Sequence, residues 1–381
     1  IVLFQIYNEI EDDVKRFGNF SYYDSDGFLK SGVGIEHRGN LSLTFPKKSY
    51  DLEFWTDAIQ KESKDLQFKG LRSDDDWILD ALYNEPLRIR STLSAELWLK
   101  MTTPKYIQKE TKAKSGFDVR YVEVFKNGIY LGIYALSEPV DRKLLSLKKN
   151  EEKLIRGELF KATSYDGAPS FKKAPEYDNL FPHWAGFEMK FPLVDYKAYW
   201  NDLANFVDLV VNADEEKFSS QIVQKLDIDN AINYFLLVNL VRATDNLGKN
   251  YYLAKYDTNE PYFFVPWDLD GVLGVIQEGK RIPTTNDVLS NGLFDRLLSA
   301  NPDNYRNKLK VRWRTLRQAE FSQKTLLHRV EELYSKLSTE KIYKREFGLW
   351  KSNYTVEEDF DYLNSWIINR LKYLDTYFEG L

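Results

Sequence analysis

The chain contains no cysteine among its 381 residues. Disulfides, thiolate metal sites and cysteine nucleophiles are therefore all excluded. Histidine is scarce as well: His37, His183 and His328 are the only three, and they lie far apart without an H-x-x-x-H pattern. We therefore do not expect a zinc site of the usual histidine type.

The sequence also lacks a surplus of one charge and a long apolar run. Its 53 basic and 58 acidic residues are well mixed and give a net charge of −5. Without a sustained basic stripe, nucleic acid is not expected as the main partner. No apolar run approaches the roughly 18 residues that span a bilayer, so no membrane span is expected. The chain opens at Ile1 without a methionine or a signal-like segment, which suggests a trimmed sequence whose targeting segment has been removed.

Two nucleotide-binding motifs are missing. The sequence has neither a G-x-G-x-x-G loop nor a G-x-x-x-x-G-K-[ST] loop, which argues against a standard protein kinase and against a P-loop enzyme. Aromatic residues, in contrast, are abundant, with 25 Tyr, 24 Phe and 9 Trp making 15% of the chain. We interpret them as core and strand residues rather than as a stacking surface for sugars or bases.

The first 140 residues are predicted to be mainly strands with one long helix. Alternating patterns predict a strand at residues 1–7, a hairpin around a Gly-Asn turn in residues 34–55, and a hairpin around Lys126-Asn127-Gly128. Helical spacing runs from Pro86, which suits a first turn, to Met101. The stretch after Pro139 is predicted to form a short helix.

The rest of the chain is predicted to be rich in helices. Turn-forming residues at 164–184 indicate a long loop or insertion. A helix with a break near residues 212–214 follows, and then a buried helix that ends at Ala243 and is capped by Asp227 or Asp229. Residues 288–381 are helical in pattern. This order predicts an α+β, two-lobed protein-kinase-like fold, with an N-lobe at 1–140, a C-lobe at 141–381 and the active site between them.

Residues 241–271 carry the clearest chemical pattern. Asp245 and Asn250 are separated by four residues, a hairpin pattern follows, and Asp268-Leu269-Asp270-Gly271 closes the segment. Protein kinases use the same order, with an Asp for the acceptor hydroxyl, an Asn for metal and a metal-binding Asp before Gly. His-Arg before the first Asp and Phe in D-F-G are missing here. Because a hairpin doubles back, Asp268 is expected to return to the level of Asn250.

Hard oxygen ligands in this arrangement suit Mg²⁺, and Asp245 would accept the proton of an attacking hydroxyl. Asn250 and Asp268 are the predicted metal ligands. Asp270 is either a second acidic ligand or a turn residue. Taken separately, the Asp-Asn pair is equally a cap or turn device, and D-x-D-G also occurs in sugar-nucleotide and calcium sites.

A kinase-like site needs a cation to bind the nucleotide phosphates, and the predicted first lobe offers two candidate lysines. Lys48 is the first choice because it lies on the predicted inward face of a strand with Tyr50 and Leu52, and Lys47 replaces it if the register shifts by one. A buried lysine needs a carboxylate, and we predict Glu96 for that role. A solvated Lys-Lys pair and a water-facing Glu96 are the alternatives.

Three further residues are assigned to nucleotide binding. The turn that contains Arg38 and Asn40 offers backbone amides and a charge to phosphate, although a plain hairpin turn accounts for it nearly as well. Glu138 falls where the link between lobes would bind adenine. With Asp141 and Arg142, it is equally interpreted as a helix cap with its ion pair.

The sequence resembles a known family, the spore-coat protein H (CotH-like) atypical kinases. The resemblance runs from about residue 35 to 275, and its motifs occur in the family's order: HRGNLSLTFPKKSYDLEF, DDDWILDALYNEPLRIR, YVEVFKNGIYLGIYALSEPVDRK, RGELFKA, NYFLLVNLVRATDNLGKNYYLAKY and YFFVPWDLDG.

The resemblance implies a kinase that binds ATP with Mg²⁺ or Mn²⁺ and phosphorylates Ser or Thr of a protein. By position, Asp245 matches the family's catalytic Asp, Asp268 its metal-binding Asp, and Asn250 the Asn of the same loop. The resemblance further implies a coat or envelope protein as partner, and it favours the spore coat or cell envelope over the free cytoplasm.

Two other classes of function fit parts of the sequence. A D-x-D metal-dependent glycosyl- or nucleotidyltransferase needs only Asp268 and Asp270. A non-catalytic scaffold of the cell envelope or spore coat needs none of these residues. Asp245 and Asn250 are therefore the residues that discriminate among the three hypotheses.

Overall fold

The computed structural model describes residues 1–59, 61–151, 154–178, 180–193 and 199–381, and within them the chain is a mixed α+β protein. The strands are β1 (Val2–Ile6), β2 (Arg16–Asp24), β3 (Gly27–Arg38), β4 (Ser49–Trp55), β5 (Leu66–Gln67), β6 (Ser73–Asp74), β7 (Asp76–Asp80), β8 (Val119–Lys126), β9 (Ile129–Ser137), β10 (Glu158–Ala162), β11 (His183–Trp184), β12 (Phe187–Phe191), β13 (Tyr251–Lys255) and β14 (Tyr262–Pro266). The helices are α1 (Arg90–Met101), α2 (Asn201–Asn212), α3 (Glu215–Lys225), α4 (Ile228–Val241), α5 (Gly292–Ala300), α6 (Tyr305–Arg317), α7 (Gln323–Thr339), α8 (Ile342–Leu349) and α9 (Val356–Glu379).

The chain divides into two compact units, and each is assembled from three stretches of sequence. The first unit comprises Ile1–Thr92, Phe117–Pro139 and Val330–Asp361. The second comprises Leu93–Gly116, Val140–Arg329 and Tyr362–Leu381.

The first unit contains a closed barrel with strand order β1-β2-β3-β4-β7-β9-β8. Strand β1 closes it, because it pairs antiparallel with β2 and parallel with β8. Alternation along β1 buries Val2, Phe4 and Ile6. Closure leaves no open edge that another chain can pair with. The sequence predicted strands in this region but not their closure.

Much of the barrel core is aromatic. Phe20 packs edge-on against Phe54 with ring centroids 4.7 Å apart, and Phe68 packs against Trp77 at 4.6 Å. Edge-to-face pairs of this kind add to the free energy gained by burial. Tyr50 is buried on the same face of β4 as Phe54, as the alternation predicted.

The two predicted hairpins of the barrel differ in outcome. Lys126 pairs with Ile129, and the turn residues Asn127 and Gly128 have φ of 51° and 82°. Positive φ at both positions is the two-residue hairpin turn that an Asn-Gly pair predicts.

The Gly-Asn turn was placed wrongly, since Arg38 pairs with Ser49 and residues 39–48 form the connection. The short 3₁₀ segment Leu41–Thr44 lies in it, with the Ser42 hydroxyl donating to the carbonyl oxygen of Arg38 at 3.2 Å. Pro46 has no N–H with which to extend a strand ladder, so the second strand starts later.

Two predicted helices also required correction. Helix α1 begins at Arg90 rather than at Pro86, because the Glu85 carboxylate accepts the Arg90 N–H at 2.9 Å and Arg88 adopts a left-handed φ of 58°. The stretch after Pro139 forms turns instead of a helix. There the Asp141 carboxylate accepts the N–H of Leu144 at 2.6 Å.

The second unit is built around an antiparallel five-stranded sheet with order β11-β12-β10-β13-β14. The buried helix α4 packs on it, and the Tyr234 ring stacks on Phe264 with centroids 4.6 Å apart. Asp227 caps α4 by accepting the Asn230 N–H at 3.0 Å, which decides between the two predicted caps. The predicted break near residues 212–214 separates α2 from α3.

The remaining predictions concern loops and the end of the chain. Apart from residue 179, which lies outside the described residues, the stretch 164–184 is mainly loop, with a short 3₁₀ segment at Ala168–Ser170 and strand β11 at its end. Residues 292–379 are largely helical, as the pattern predicted. Among the described residues, no helix is both long and apolar enough to cross a membrane.

Candidate functional site

Asp245 lies directly after the buried helix α4. The helix ends at Val241, and Arg242 caps it in a left-handed conformation with φ of 54° and ψ of 53°. Asp245 then begins a 3₁₀ turn that ends at Leu247. The carboxylate is thereby placed on a loop at the carboxyl end of the helix, where the sequence predicted it.

Three side chains surround the Asp245 carboxylate, whose side chain is 15% exposed. Lys249 Nζ lies 2.9 Å from Oδ2, and Asn250 Nδ2 donates to the same oxygen at 3.4 Å. The Tyr165 hydroxyl donates to Oδ1 at 2.7 Å. Lys249 supplies one positive charge beside the carboxylate, and both oxygens are oriented by donors.

Asn246 ties this loop to the hairpin that follows it. Its buried amide Nδ2 donates to the carbonyl oxygen of Trp267 at 2.8 Å and to that of Asn250 at 2.5 Å. The Trp267 N–H in turn donates to the Asn250 carbonyl oxygen at 3.0 Å. These bonds place Asn250 opposite Trp267, so the hairpin returns the chain at Asp268 to about the level of Asn250, as expected.

Asn250 and Asp268 both adopt left-handed backbone conformations, with φ of 58° and 54°. Asn and Asp tolerate this region better than most residues, because their short polar side chains bond locally. Asn250 donates to Asp245 through Nδ2, a bond that does not involve its amide oxygen Oδ1. The Asp268 side chain is exposed. An amide oxygen and an accessible carboxylate are metal ligands of the kind that Mg²⁺ or Mn²⁺ prefers.

The segment after Asp268 returns to α4 and to the loop. Leu273 N–H donates to the Val241 carbonyl oxygen at 2.7 Å. Asp287 makes a two-oxygen ion pair with Arg242, and Asn291 Nδ2 donates to the Leu247 carbonyl oxygen at 3.0 Å. Asp270 is half-buried in this segment. These contacts tie the end of α4 and the candidate loop to residues 273–291.

The choice between the two lysines before β4 requires a correction. Lys47, and not Lys48, is the buried lysine: its Nζ contacts Glu346 Oε1 at 2.7 Å and the Ile133 carbonyl oxygen at 2.6 Å. Lys48 is half-buried and donates to the carbonyl oxygen of Leu43. Because β4 begins only at Ser49, both lysines precede the strand, and its alternation does not set their orientation.

Glu346 also accepts hydrogen bonds from Arg88 Nε at 3.1 Å and from the Ile133 N–H at 2.8 Å. Gly132 leaves room for it, since a Cβ there would lie 2.2 Å from Glu346 Oε2. Burial lowers the pKa of Lys47 to about 7, although the Glu346 carboxylate acts in the opposite direction. This lysine therefore has a buried carboxylate partner, as a buried cation requires.

Glu96 has a different partner from the one predicted. Its two carboxylate oxygens accept from Arg329 at 2.6 and 2.7 Å, in a bidentate pair on helices α1 and α7. The predicted Lys48–Glu96 pairing is therefore wrong. Helical spacing shows which face of α1 carries Glu96, but not which distant helix packs there.

The remaining predicted binding residues lie in the first unit. Arg38 ends β3 and is half-buried, while Asn40 is exposed and its side chain does not cap the following turn. Glu138 is buried, and its carboxylate accepts the backbone N–H groups of Arg72 at 2.8 Å and Asp118 at 3.1 Å. Contacts of Lys48, Arg38 and Asn40 with phosphate, and of Glu138 with adenine, stay predictions.

Three residues of these clusters were missed from the sequence. Lys249 had a visible signal, since it lies four residues after Asp245 on a turn. Tyr165 lies in the stretch interpreted as a loop, 80 residues before Asp245. Glu346 is 299 residues from Lys47. Contacts over such separations leave no local pattern.

Comparison with family models gives one match over most of the chain. The model of the family described as "CotH kinase protein" matches residues 35–374, which include every predicted site residue. A search of curated proteins found no match. Because the family model spans most of the sequence, the chain belongs to the CotH kinase protein family.

Proposed function

We propose that this CotH kinase protein is an ATP-dependent protein kinase that transfers the γ-phosphate to Ser or Thr of a protein, and that its fold is two-lobed and kinase-like. The observation that carries the proposal is the placement of Asp245, Asn250 and the neighbour of Asp268 in one hydrogen-bonded cluster. Family membership over residues 35–374 supports the same reaction class.

Asp245 is the proposed general base. An acceptor hydroxyl would donate to its carboxylate, and the proton would pass to Asp245 as the oxygen attacks phosphorus. Lys249 lies 2.9 Å from the carboxylate, so we assign it to balancing the negative charge of the transferred phosphoryl group.

Asn250 and Asp268 are the proposed metal ligands, with Asp270 as a third candidate. Mg²⁺ or Mn²⁺ bound there would neutralise charge on the nucleotide phosphates. Water would complete the coordination, because Mg²⁺ is rarely enclosed by protein ligands alone.

The experiment is transfer of label from γ-labelled ATP to a serine- and threonine-rich acceptor protein with Mn²⁺ or Mg²⁺. We expect transfer by the native chain, its loss with a chelator, and a decrease of about 100-fold or more in Asp245→Asn and Asp268→Asn. Asp13→Asn is the control matched to Asp268, since Asp13 is likewise exposed and likewise has a positive φ, 59°.

Other outcomes separate the remaining hypotheses. Activity that depends on Asp268 and Asp270 but survives Asp245→Asn would favour a D-x-D glycosyl- or nucleotidyltransferase. Absence of label transfer, together with no ATP-dependent shift in melting temperature with any metal, would contradict the proposed kinase activity. The hypothesis of a non-catalytic scaffold would then remain.

A further inference from the structure

Tyr165 presents a hydroxyl group to the candidate base. Its Oη lies 2.7 Å from Oδ1 of Asp245 and 3.0 Å from the carbonyl oxygen of Thr244. The other carboxylate oxygen, Oδ2, accepts from Lys249 and Asn250. A hydroxyl that donates to Asp245 is the arrangement that an acceptor needs before phosphoryl transfer. The chain therefore places one of its own hydroxyl groups where a substrate hydroxyl would bind.

The surroundings hold Tyr165 in this position. A Cβ on Gly248 would lie 2.4 Å from Tyr165 Cδ1, so the ring packs directly on the glycine. Lys249 Nζ lies 5.6 Å from the ring centroid, within reach of a cation–π contact.

The loop that carries Tyr165 is itself fixed by its backbone. Thr163 N–H donates to Gly186 and Ala168 N–H donates to Ala185, both at 2.8 Å. Tyr165 nevertheless remains 42% exposed. A held but accessible hydroxyl has the properties of a modification site.

We propose that Tyr165 is an intramolecular phosphate acceptor that this chain modifies with its own active site. The inference rests on the proposed function and extends the acceptor from Ser and Thr to a phenol. The bond from Tyr165 Oη to the γ-phosphorus of ATP forms as the bond from that phosphorus to the β–γ bridging oxygen breaks. The phenolic proton passes to Asp245, and ADP leaves with the bridging oxygen.

Phosphorylation of Tyr165 would change the charge beside Asp245. Burial, followed by the hydrogen bond to Asp245, raises the pKa of Tyr165, so the hydroxyl keeps its proton at neutral pH until transfer. Phosphotyrosine then carries nearly two negative charges beside the Asp245 carboxylate, and this repulsion drives it away from Oδ1. Lys249, next to the ring, is the cation that can pair with the new phosphate.

The test is peptide mapping by mass spectrometry after the purified chain is incubated with ATP and Mn²⁺. We expect phosphate on Tyr165, with a first-order rate constant that does not change with protein concentration. Asp245→Asn should slow it by about 100-fold or more. Tyr165→Phe should abolish the modified peptide. Tyr177→Phe is the matched control, since Tyr177 is 48% exposed in the same loop region and should leave the modification of Tyr165 unchanged.

Phosphate on an added acceptor protein but none on Tyr165 would overturn the inference and leave the proposed function standing. Absence of phosphate on both would overturn the two together. Modification that accelerates with protein concentration would contradict an intramolecular reaction.

The contact itself can be measured without nucleotide or metal. Ultraviolet titration of Tyr165, obtained as the difference between native protein and Tyr165→Phe, should give a raised phenol pKa. The same difference in the Asp245→Asn background should give a lower pKa, because the carboxylate that accepts the hydrogen bond is gone. An unchanged pKa would show that the hydroxyl does not contact Asp245 in solution, which removes the basis of the inference.

Discussion

At the scale of single residues, Lys47 and Lys48 show how much one position matters. They are adjacent and chemically identical, yet the Lys47 side chain is fully buried against Glu346 and Lys48 is half-buried. Removing one member of a buried ion pair leaves the other without its countercharge, which costs more than the pair itself contributes.

We therefore expect Lys47→Met to lower the free energy of unfolding by about 3 kcal/mol, the lower end for buried pairs, because Arg88 still contacts Glu346. Lys48→Met is the matched control and should cost less than about 1 kcal/mol. Urea denaturation of both variants measures the difference. Equal losses would show that Lys47 is not paired as described.

A second prediction at this scale concerns Asp76. Burial, with Asp75 and Glu53 adding repulsion, raises its pKa from 3.8 to about 7. Between these values the native state binds a proton that the unfolded chain does not, so stability falls as pH rises from about 4 to 7.

We expect Asp76→Asn to raise the free energy of unfolding by about 1–2 kcal/mol at pH 8, a value reduced for solvent screening. Near pH 3.5 the same variant should show no such gain. Asp51→Asn, on the neighbouring strand and paired with Lys15 at 2.9 Å, serves as the control and should bring no gain at pH 8. Thermal unfolding across this pH range is the measurement, and a gain for Asp76→Asn that does not vary with pH would contradict the raised pKa.

At the scale of elements, the loop at 245–250 depends on Asn246 more than on its own helical turn. The Asn246 amide bridges the Trp267 and Asn250 carbonyl oxygens, while the Tyr234 hydroxyl donates to the Asn246 carbonyl oxygen at 2.6 Å. Helix α4, the loop and the β13–β14 hairpin are thereby joined into one piece. Losing the amide removes a donor from each of these two carbonyl oxygens, and a buried acceptor that loses a donor without regaining water lowers stability.

We expect Asn246→Ala to lower the free energy of unfolding by about 2 kcal/mol. Amide hydrogen exchange at residues 245–250 should accelerate by about tenfold or more, because local opening becomes easier. Asn212→Ala at the exposed end of α2 is the control and should leave exchange in this loop unchanged. If exchange in the loop stays slow in Asn246→Ala, the amide is not what holds it.

At the scale of the whole molecule, the two units are interleaved along the chain. Residues Val330–Asp361 belong to the first unit, and Tyr362–Leu381 belong to the second. The first stretch supplies Glu346 to Lys47 and Arg88, and the second supplies Arg370 to Asp287. Each unit therefore contains a buried basic side chain whose ion pair is completed by the last third of the chain.

Truncation after Arg329 should accordingly abolish cooperative unfolding, even though Asp245, Asn250 and Asp268 are all retained. The reason is that buried Lys47, Arg88 and the apolar surfaces under α8 and α9 lose their partners. Circular dichroism during heating measures this. A full-length Glu346→Gln variant controls for loss of the two Glu346 ion pairs and should retain a sharp transition. A truncated chain that unfolds as sharply would contradict the interdependence.

The sequence by itself determined the features that depend on neighbours along the chain. The Asn127-Gly128 turn, the presence of an Asp cap on α4 and the approach of Asn250 to the residue before Asp268 follow from turn chemistry and hairpin register, which act over about 20 residues or fewer. Closure of the barrel, the Glu346 partner of Lys47 and the Tyr165 hydroxyl on Asp245 were decided only by the tertiary structure. They join residues far apart in sequence, and which of them meet depends on how the whole core packs. Periodicity shows which face of an element is buried, but it carries no information about the side chain that will cover it.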